Sequence, residues 1–479
     1  MFRFDNSYRQ LPSHFYAPVN PTPVERPDWL AFNRLLAADL GLRDDLEHNA
    51  QALEVFSGNQ LPEGAEPIAM AYAGHQFGHP VPQLGDGRAV LLGEHIDPEQ
   101  QRHDIQLKGS GRTPFSRNGD GRAAIGPVLR EYLLSEAMHA LGIPTTRALA
   151  AVRSGEPVLR ERPMPGAVLT RVASSHLRVG SFQYFAFRGD REAVAQLLDH
   201  AIARHYPQLT ESDTPALDFI SQVGERQARL VAGWMSLGFI HGVMNTDNSS
   251  ICGETIDYGP CAFMNQFDPA TVYSSIDRRG RYAWQNQPAI AQWNLARLAE
   301  CLLPLIDADE QRAIDQASSA VEAFGQRYQQ HWQRILGDKL GLGESQPGDS
   351  ELIDQLLAAM QQDSADYSLS LRHLAETADQ TDAQPFDSPA LKQWHAQWRA
   401  RIQTSTGVSS QALCQKNPLF IPRNHHVDRA LTSAEQGDLQ PFRDLLTCCL
   451  DPYRPHPELK HLSEPPKPGE DIAATFCGT

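Results

Sequence analysis

Residues 241–260 read HGVMNTDNSSICGETIDYGP and follow directly on an amphipathic run, RQARLVAGWMSLGF. No other stretch limits the fold as strongly. A helix must deliver this polar loop, and a hairpin-like insert over 249–256, turning at Gly253-Glu254, must lead it to an Asp-Tyr-Gly step. His241 and Asn248 stand seven residues apart, with Asp257-Tyr258-Gly259 beyond them. An amide oxygen at Asn248 and a carboxylate at Asp257, set at the mouth of a cleft, are donors that a hard divalent cation prefers when it meets nucleotide phosphates. The simpler alternative is a polar loop whose Asn and Asp only satisfy turn backbone.

Upstream residues favour the first reading. A His, an Asn seven residues on, a short hairpin and Asp-aromatic-Gly is the order of a protein-kinase catalytic loop. In LGDGRAVLLGE, Gly85, Gly87 and Arg88 form a tight turn where backbone can approach a phosphate, although a lone G-x-G is more often a plain hairpin. IQLKGSG then offers Lys108 at the end of a strand-like run, and the helical stretch 122–143 offers Glu131 and Glu136 as its partners. These two are five apart and lie on different helix faces, so only one is expected to point inward. Cations recur among glycines and serines at Arg112, Arg117 and Arg122, and again at Arg171 and Arg178. The chain as a whole is acidic, with 42 Lys plus Arg against 58 Asp plus Glu and a net charge of −16. Such a balance argues against a coat for nucleic acid or anionic membrane and makes the clustered cations read as a polyphosphate pocket. Where an ordinary kinase has the Asp that accepts the substrate proton, Val243 stands, and a carboxylate appears instead at Asp247.

Around this constellation the periodicity changes once. Residues 1–60 join a Pro-rich lead to one amphipathic helix, WLAFNRLLAADLGL. Residues 61–185 carry the strand-like runs RAVLLGEHI, HDIQLKG, RALAAVRS and GAVLTRVA about the helix 122–143. From 186 to 450 the pattern is helical, and the Pro-rich stretch 451–479 is expected to wrap the surface. The expected fold is α+β and protein-kinase-like, with a β-rich N-terminal lobe, a mostly helical C-terminal lobe and an extension at each end. No G-x-x-x-x-G-K-[ST] occurs, nor a G-x-G-x-x-G at a strand-to-helix turn, so P-loop and Rossmann enzymes are set aside. Seven scattered cysteines without a C-x-x-C pair suggest neither a disulfide framework nor a zinc site. With no apolar run of membrane length and no leader-like start, the expectation is a cytoplasmic protein. Nothing reads as a dimer interface, so a monomer is expected.

The blocks YAGHQFGHPVPQLGDGRA, QLKGSGRTPFSRNGDGRAA, REYLLSEAM, HGVMNTDNSSICGETIDYGP and NPLFIPRNHHV together resemble the selenoprotein O family over nearly the whole chain. That resemblance implies a bacterial, cysteine-containing protein adenylyltransferase on a kinase-like fold. It would move AMP from ATP to Ser, Thr or Tyr hydroxyls of other proteins, with Mg²⁺ or Mn²⁺ and with ATP flipped relative to kinases. It further implies Asp247 as proton acceptor, Glu131 as the partner of Lys108, and Asn248 and Asp257 as metal ligands. Gly85, Gly87, Arg88, Lys108, Asp120, Gly121, Arg171 and Arg178 would hold the nucleotide. Eukaryotic members of that family carry selenocysteine near the C-terminus, which makes a Cys261–Cys477 disulfide a hypothesis for this chain, the alternative being that Cys477 is a free tail thiol. Rival readings are transfer of UMP, a γ-phosphoryl transferase, and an ATP-binding scaffold without turnover.

Overall fold

The computed structural model describes residues 1–403, 405 and 408–476. In chain order its strands are β1 (Tyr16–Pro18), β2 (Asp28–Phe32), β3 (Ile68–Met70), β4 (Gly74–Gln76), β5 (His79–Val81), β6 (Ala89–Ile96), β7 (Arg102–Lys108), β8 (Ala123–Ala124), β9 (Arg147–Leu159), β10 (Pro163–Ala173), β11 (Phe239–Ile240) and β12 (Ala262–Phe263). Eight of them form one antiparallel sheet in the order β1-β3-β6-β7-β10-β9-β2, with β8 also paired to β10. The β4–β5 hairpin and the β11–β12 pair stand apart from it.

The helices are α1 (Arg34–Asp39), α2 (Ala50–Ser57), α3 (Ile125–Ala140), α4 (Val179–Ala186), α5 (Arg191–His205), α6 (Pro215–Ser236), α7 (Gln287–Ile306), α8 (Glu310–Leu340), α9 (Asp349–Gln362), α10 (Tyr367–Glu376), α11 (Pro389–Ile402), α12 (Ser410–Cys414), α13 (Asn424–Glu435) and α14 (Gln440–Leu450). The protein is thus α+β, with a sheet-rich part followed by a helical one. No helix among the described residues is long and apolar enough to cross a membrane.

Strand alternation sorts the sheet's two faces. Val90, Leu92, Ile105, Leu107, Val168 and Val172 point to one side, where Leu36 of α1 and Phe56 of α2 cover them. Ala167 and Leu169 point to the other side and meet α3. The far side of α3 packs on Phe442 and Leu445 of α14 and on Val427 of α13. Helix α3 is therefore sandwiched, which explains a departure from expectation: Glu131 and Glu136 are both buried. Glu136 takes Arg147 (2.7 Å), the Asn33 amide (2.7 Å) and the Ala148 N–H (2.9 Å), and so leaves Lys108 to Glu131.

Three further expectations change. The run WLAFNRLLAADLGL splits, because residues 28–32 pair with β9 and Asn33 then caps α1 by accepting from the Leu36 N–H. Residues 1–60, read as an extension, supply both edge strands of the sheet. The insert 249–256 does not close on itself, since Ser250 bridges to Arg178 and Thr255 to Thr145.

The NPLFIPRNHHV block acquires a structural role. Arg423 is 1 % exposed and binds both carboxylate oxygens of Asp366 (2.8 and 3.1 Å), the Asn265 amide oxygen (2.7 Å) and the Ser463 carbonyl (3.1 Å). It thereby joins α10, the segment after Asp-Tyr-Gly and the C-terminal stretch. Breaking a buried ion pair on one side typically costs about 3–5 kcal/mol. Arg423→Ala should lower stability by that order in urea unfolding, whereas Arg429→Ala, at an exposed position further along α13, should change it by under about 0.5 kcal/mol.

Candidate active site

Strand register builds the site. On β7, Gln106 and Lys108 share one face, and on β10 Arg171 pairs with Gln106 while Leu169 pairs with Lys108. Both long cations are thus directed at α3, where Glu131 waits. Lys108 Nζ lies 2.6 Å from Glu131 Oε2 and 2.7 Å from Asp257 Oδ1. Arg171 Nη1 lies 3.1 Å from Glu131 Oε1 and 2.9 Å from the same Asp257 oxygen. Arg178, which caps α4, reaches Asp257 Oδ2 at 3.4 Å and the Asp247 carbonyl at 2.9 Å. Burial by itself would raise the Asp257 pKa, but Lys108, Arg171 and Arg178 carry it well below the usual carboxylate range.

Asp257 also adopts a left-handed backbone, with φ of 64°. That conformation costs an L-residue on the order of 1 kcal/mol, less for Asp than for branched residues. The three cations hold it there. His241, expected from the loop pattern, is buried and its Nε2 meets the Ile256 carbonyl at 2.9 Å, so it fixes the residue just before Asp257. Val243 is buried and offers only its carbonyl, which accepts from Asn248 Nδ2 at 3.0 Å. That bond turns the Asn248 oxygen free of donors among the described residues, as an oxygen ligand for a hard cation requires. No three His, Cys, Asp or Glu side chains among those residues gather as a self-sufficient metal site. A cation here would take Asn248, Asp257 and phosphate oxygens, the sparse protein ligation usual for nucleotide-bound Mg²⁺.

Asp247 sits in a one-turn helix with Thr246 and Asn248. Its Oδ2 accepts from Gln76 Nε2 at 3.3 Å, and its Oδ1 is buried without a partner. Burial pushes its pKa up to about 6, against the pull of Arg178. The β4–β5 hairpin lies over this turn: His75 N–H donates to Thr246 Oγ1 (2.6 Å) and Phe77 N–H to Asn245 Oδ1 (3.1 Å). Only glycine fits at 74, because a Cβ there would stand 2.6 Å from Asp247 Oδ1.

The remaining sequence candidates divide. Gly85, Gly87 and Arg88 form a loop laid on Phe115 and Ser116, where Gly85 has φ of 77° and a Cβ would run into the Phe115 ring. The Arg88 carbonyl accepts from Gly109 N–H at 2.7 Å, just past Lys108. Asp120 and Gly121 are not brought to the cluster. Asp120 is exposed and pairs with Arg160 at 2.8 Å, and Gly121 packs on the Gly111 backbone. Arg112 and Arg117 are exposed, and Arg122 binds the Thr22 and Pro23 carbonyls. Cys261 is buried, and Cys477 lies outside the described residues.

Sequence reasoning missed Asp86, Gln106 and Gln76. Gln106 Oε1 accepts from Arg171 Nε at 3.1 Å, and its Nε2 donates to the buried Asp86 carboxylate at 3.2 Å. Asp86 in turn faces Arg178 at 3.8 Å. Gln106 was discoverable, since it stands two residues before Lys108 on the same strand face.

A lysine, two buried arginines and two carboxylates thus gather around a loop that ends in Asp-Tyr-Gly, the residue types that phosphoryl chemistry calls for. The family model for protein adenylyltransferase SelO matches residues 1–449. The chain belongs to the SelO family. It is an enzyme, a protein nucleotidyltransferase. Similar proteins, each named protein nucleotidyltransferase YdiU, include that of Rhodopseudomonas palustris strain BisB5, 56 % identical over all of this chain and 99 % of its own length. Those of Rhizobium leguminosarum bv. trifolii strain WSM2304 and of Methylorubrum extorquens are each 54 % identical over the whole chain, covering 97 % and 99 % of theirs.

The contact at Gly74 is open to test. Gly74→Ala should displace the Asp247 carboxylate and lower the turnover number of nucleotidyl transfer about tenfold or more, the order that a misplaced group costs. Nucleotide affinity measured by calorimetry should stay within about twofold, because Gly74 touches none of the three cations.

Proposed function

We propose that this enzyme transfers AMP from ATP to Ser, Thr or Tyr hydroxyls of proteins and releases pyrophosphate, on a kinase-like two-lobe arrangement with the nucleotide entering phosphates first. The observation that carries this reading is the depth of the cations. The Arg171 and Arg178 side chains are 2 % and 3 % exposed and share the Asp257 carboxylate with Lys108. Cations placed there favour a triphosphate whose tail points inward and whose α-phosphorus stays on the outer side, toward an acceptor hydroxyl.

In the proposed step the acceptor oxygen attacks the α-phosphorus. The bond from that phosphorus to the bridging oxygen breaks, and pyrophosphate leaves with the negative charge. Lys108, Arg171 and Arg178 neutralise that charge, and Glu131 keeps Lys108 and Arg171 in place. The hydroxyl proton goes to Asp247, whose Oδ1 has no hydrogen-bond donor of its own. Positioning and charge neutralisation supply most of the acceleration in such transfers. Mg²⁺ or Mn²⁺ held by Asn248 and Asp257 supplies further neutralisation of the phosphates when bound.

ATP labelled separately at the α and γ positions tests the reaction class. The expected result is α label on protein with release of pyrophosphate, abolished by EDTA. Transfer of γ label alone would overturn the reading. Asp257→Ala should lower α transfer by about 10²–10³-fold, and Lys108→Ala by about 10²-fold, the range for removing one electrostatic stabiliser.

A further inference from the structure

Beside the Asp247 turn lies a group of arginines. The β4–β5 hairpin that covers this carboxylate also touches the loop that carries Arg278, Arg279 and Arg281, and α7, which carries Arg297. The Phe77 ring stands 5.2 Å from Tyr282, whose hydroxyl donates to the same Asn245 oxygen that Phe77 N–H uses. A Cβ at Gly78 would sit 3.5 Å from the Arg281 guanidinium carbon, and the His75 ring lies edge-on to Trp293 at 5.3 Å. Arg281 and Arg297 each stand 4.8 Å from the Trp293 ring. The Nε of both is buried without a hydrogen-bond partner.

These charges are poorly compensated. Among the described residues no carboxylate pairs with Arg278, Arg279 or Arg281, while Arg297 meets only the exposed Glu300. The nearby acid, Asp277, is buried and committed to the backbone N–H groups of Arg281 (2.9 Å) and Tyr282 (2.8 Å). Arg278 and Arg279 are exposed. After burial, Arg297 and Arg281 are what hold the His75 imidazole below its ordinary pKa, despite its bond to Gln183. A chain of net charge −16 thus keeps four weakly compensated arginines, two exposed and two half-buried on Trp293, near the hairpin that covers its candidate proton acceptor. Guanidinium groups stacked on an indole stay weakly hydrated and present planar N–H forks, which suit carboxylates.

We propose that the stack of Arg281, Trp293 and Arg297, with the exposed Arg278 and Arg279 on the adjoining loop, docks an acidic segment of the acceptor protein, so that hydroxyls flanked by Asp or Glu are modified in preference. The proposal rests on the adenylyl-transfer reading, in which the acceptor hydroxyl meets Asp247 beside this hairpin.

Synthetic peptides of one length, with a single Ser flanked by Glu, by Gln or by Lys, test it with α-labelled ATP. The wild type should show a KM for the Glu peptide on the order of tenfold below that for the Gln peptide, with similar kcat. Arg281→Gln with Arg297→Gln should erase the preference. Arg278→Glu with Arg279→Glu, both at exposed positions and so harmless to folding, should turn it toward the Lys peptide. Equal KM values for the three peptides in the wild type overturn the docking face and leave adenylyl transfer standing. A Glu preference that survives both double variants overturns it equally, as does self-labelling without labelling of any peptide. If calorimetry shows ATP binding but no α label reaches peptide or enzyme, the transfer reading fails and the docking face falls with it.

Discussion

Everything around the site depends on one carboxylate held by three cations. Asp257 meets Lys108 at 2.7 Å, Arg171 at 2.9 Å and Arg178 at 3.4 Å, and it does so from a left-handed backbone. Removing a charge from water costs several kcal/mol, so none of these groups is stable alone in this interior. Glu131 and Asp86 complete the balance: three cations face three carboxylates before Asp247 is counted. Losing one partner would leave an uncompensated buried charge, which is why β7, β10, α3, the α4 cap and the Asp-Tyr-Gly loop are tied into one arrangement.

The tie extends outward through α3. Arg130, next to Glu131, donates to the Gly259 carbonyl at 2.9 Å and to the Cys261 carbonyl, and lies 3.4 Å from the Asn424 amide oxygen. Asn424 opens α13, directly after Arg423. The C-terminal helices therefore back α3 from behind while the sheet supports it in front. The segment after Asp-Tyr-Gly is held from the tail as well, where Thr475 N–H donates to the Tyr273 carbonyl at 2.7 Å and Ser275 N–H to the Thr475 carbonyl at 3.0 Å. These contacts give the NPLFIPRNHHV block a mechanical reason to exist that its chemistry alone did not reveal.

Much of the site was legible in the sequence because its signals are local. His241, Asn248 and Asp257 share one loop, Lys108 ends a strand, and Glu131 lies on a strongly periodic helix. What was hidden depends on chain segments that meet only in the fold. Strand 28–32 looked helical because Trp29, Phe32, Leu36 and Leu40 fit a helical period, and only its pairing with β9 overrides that pattern. The burial of Glu136 could not be read from spacing, since it requires α3 to be covered on two sides. Asp86 stood between two flagged glycines and was passed over. A carboxylate looks misplaced in a phosphate site until Arg178 and Gln106 are seen to need it. Asp120 and Gly121 came from the resemblance alone, and the side-chain contacts at 120 run to Arg160 instead.

The balanced charges also bear on how the proposed reaction would begin. A triphosphate cannot simply add to this cluster, because Lys108 and Arg171 already spend their hydrogen bonds on Asp257 and Glu131. Glu131 is fixed on a buried helix face and has nowhere to turn. Asp257 is different: its side chain is 24 % exposed, it sits on a loop, and its backbone is strained. It is the member of the cluster free to exchange partners. If Asp257 and Asn248 turn their oxygens to a divalent cation, Lys108 and Arg171 are released toward phosphate in the same movement. Metal and nucleotide would then enter together, each supplying the charge that the other displaces. Val243 fits this order, because a carboxylate at its position would add a fifth negative charge to those of Asp257, Glu131, Asp86 and Asp247.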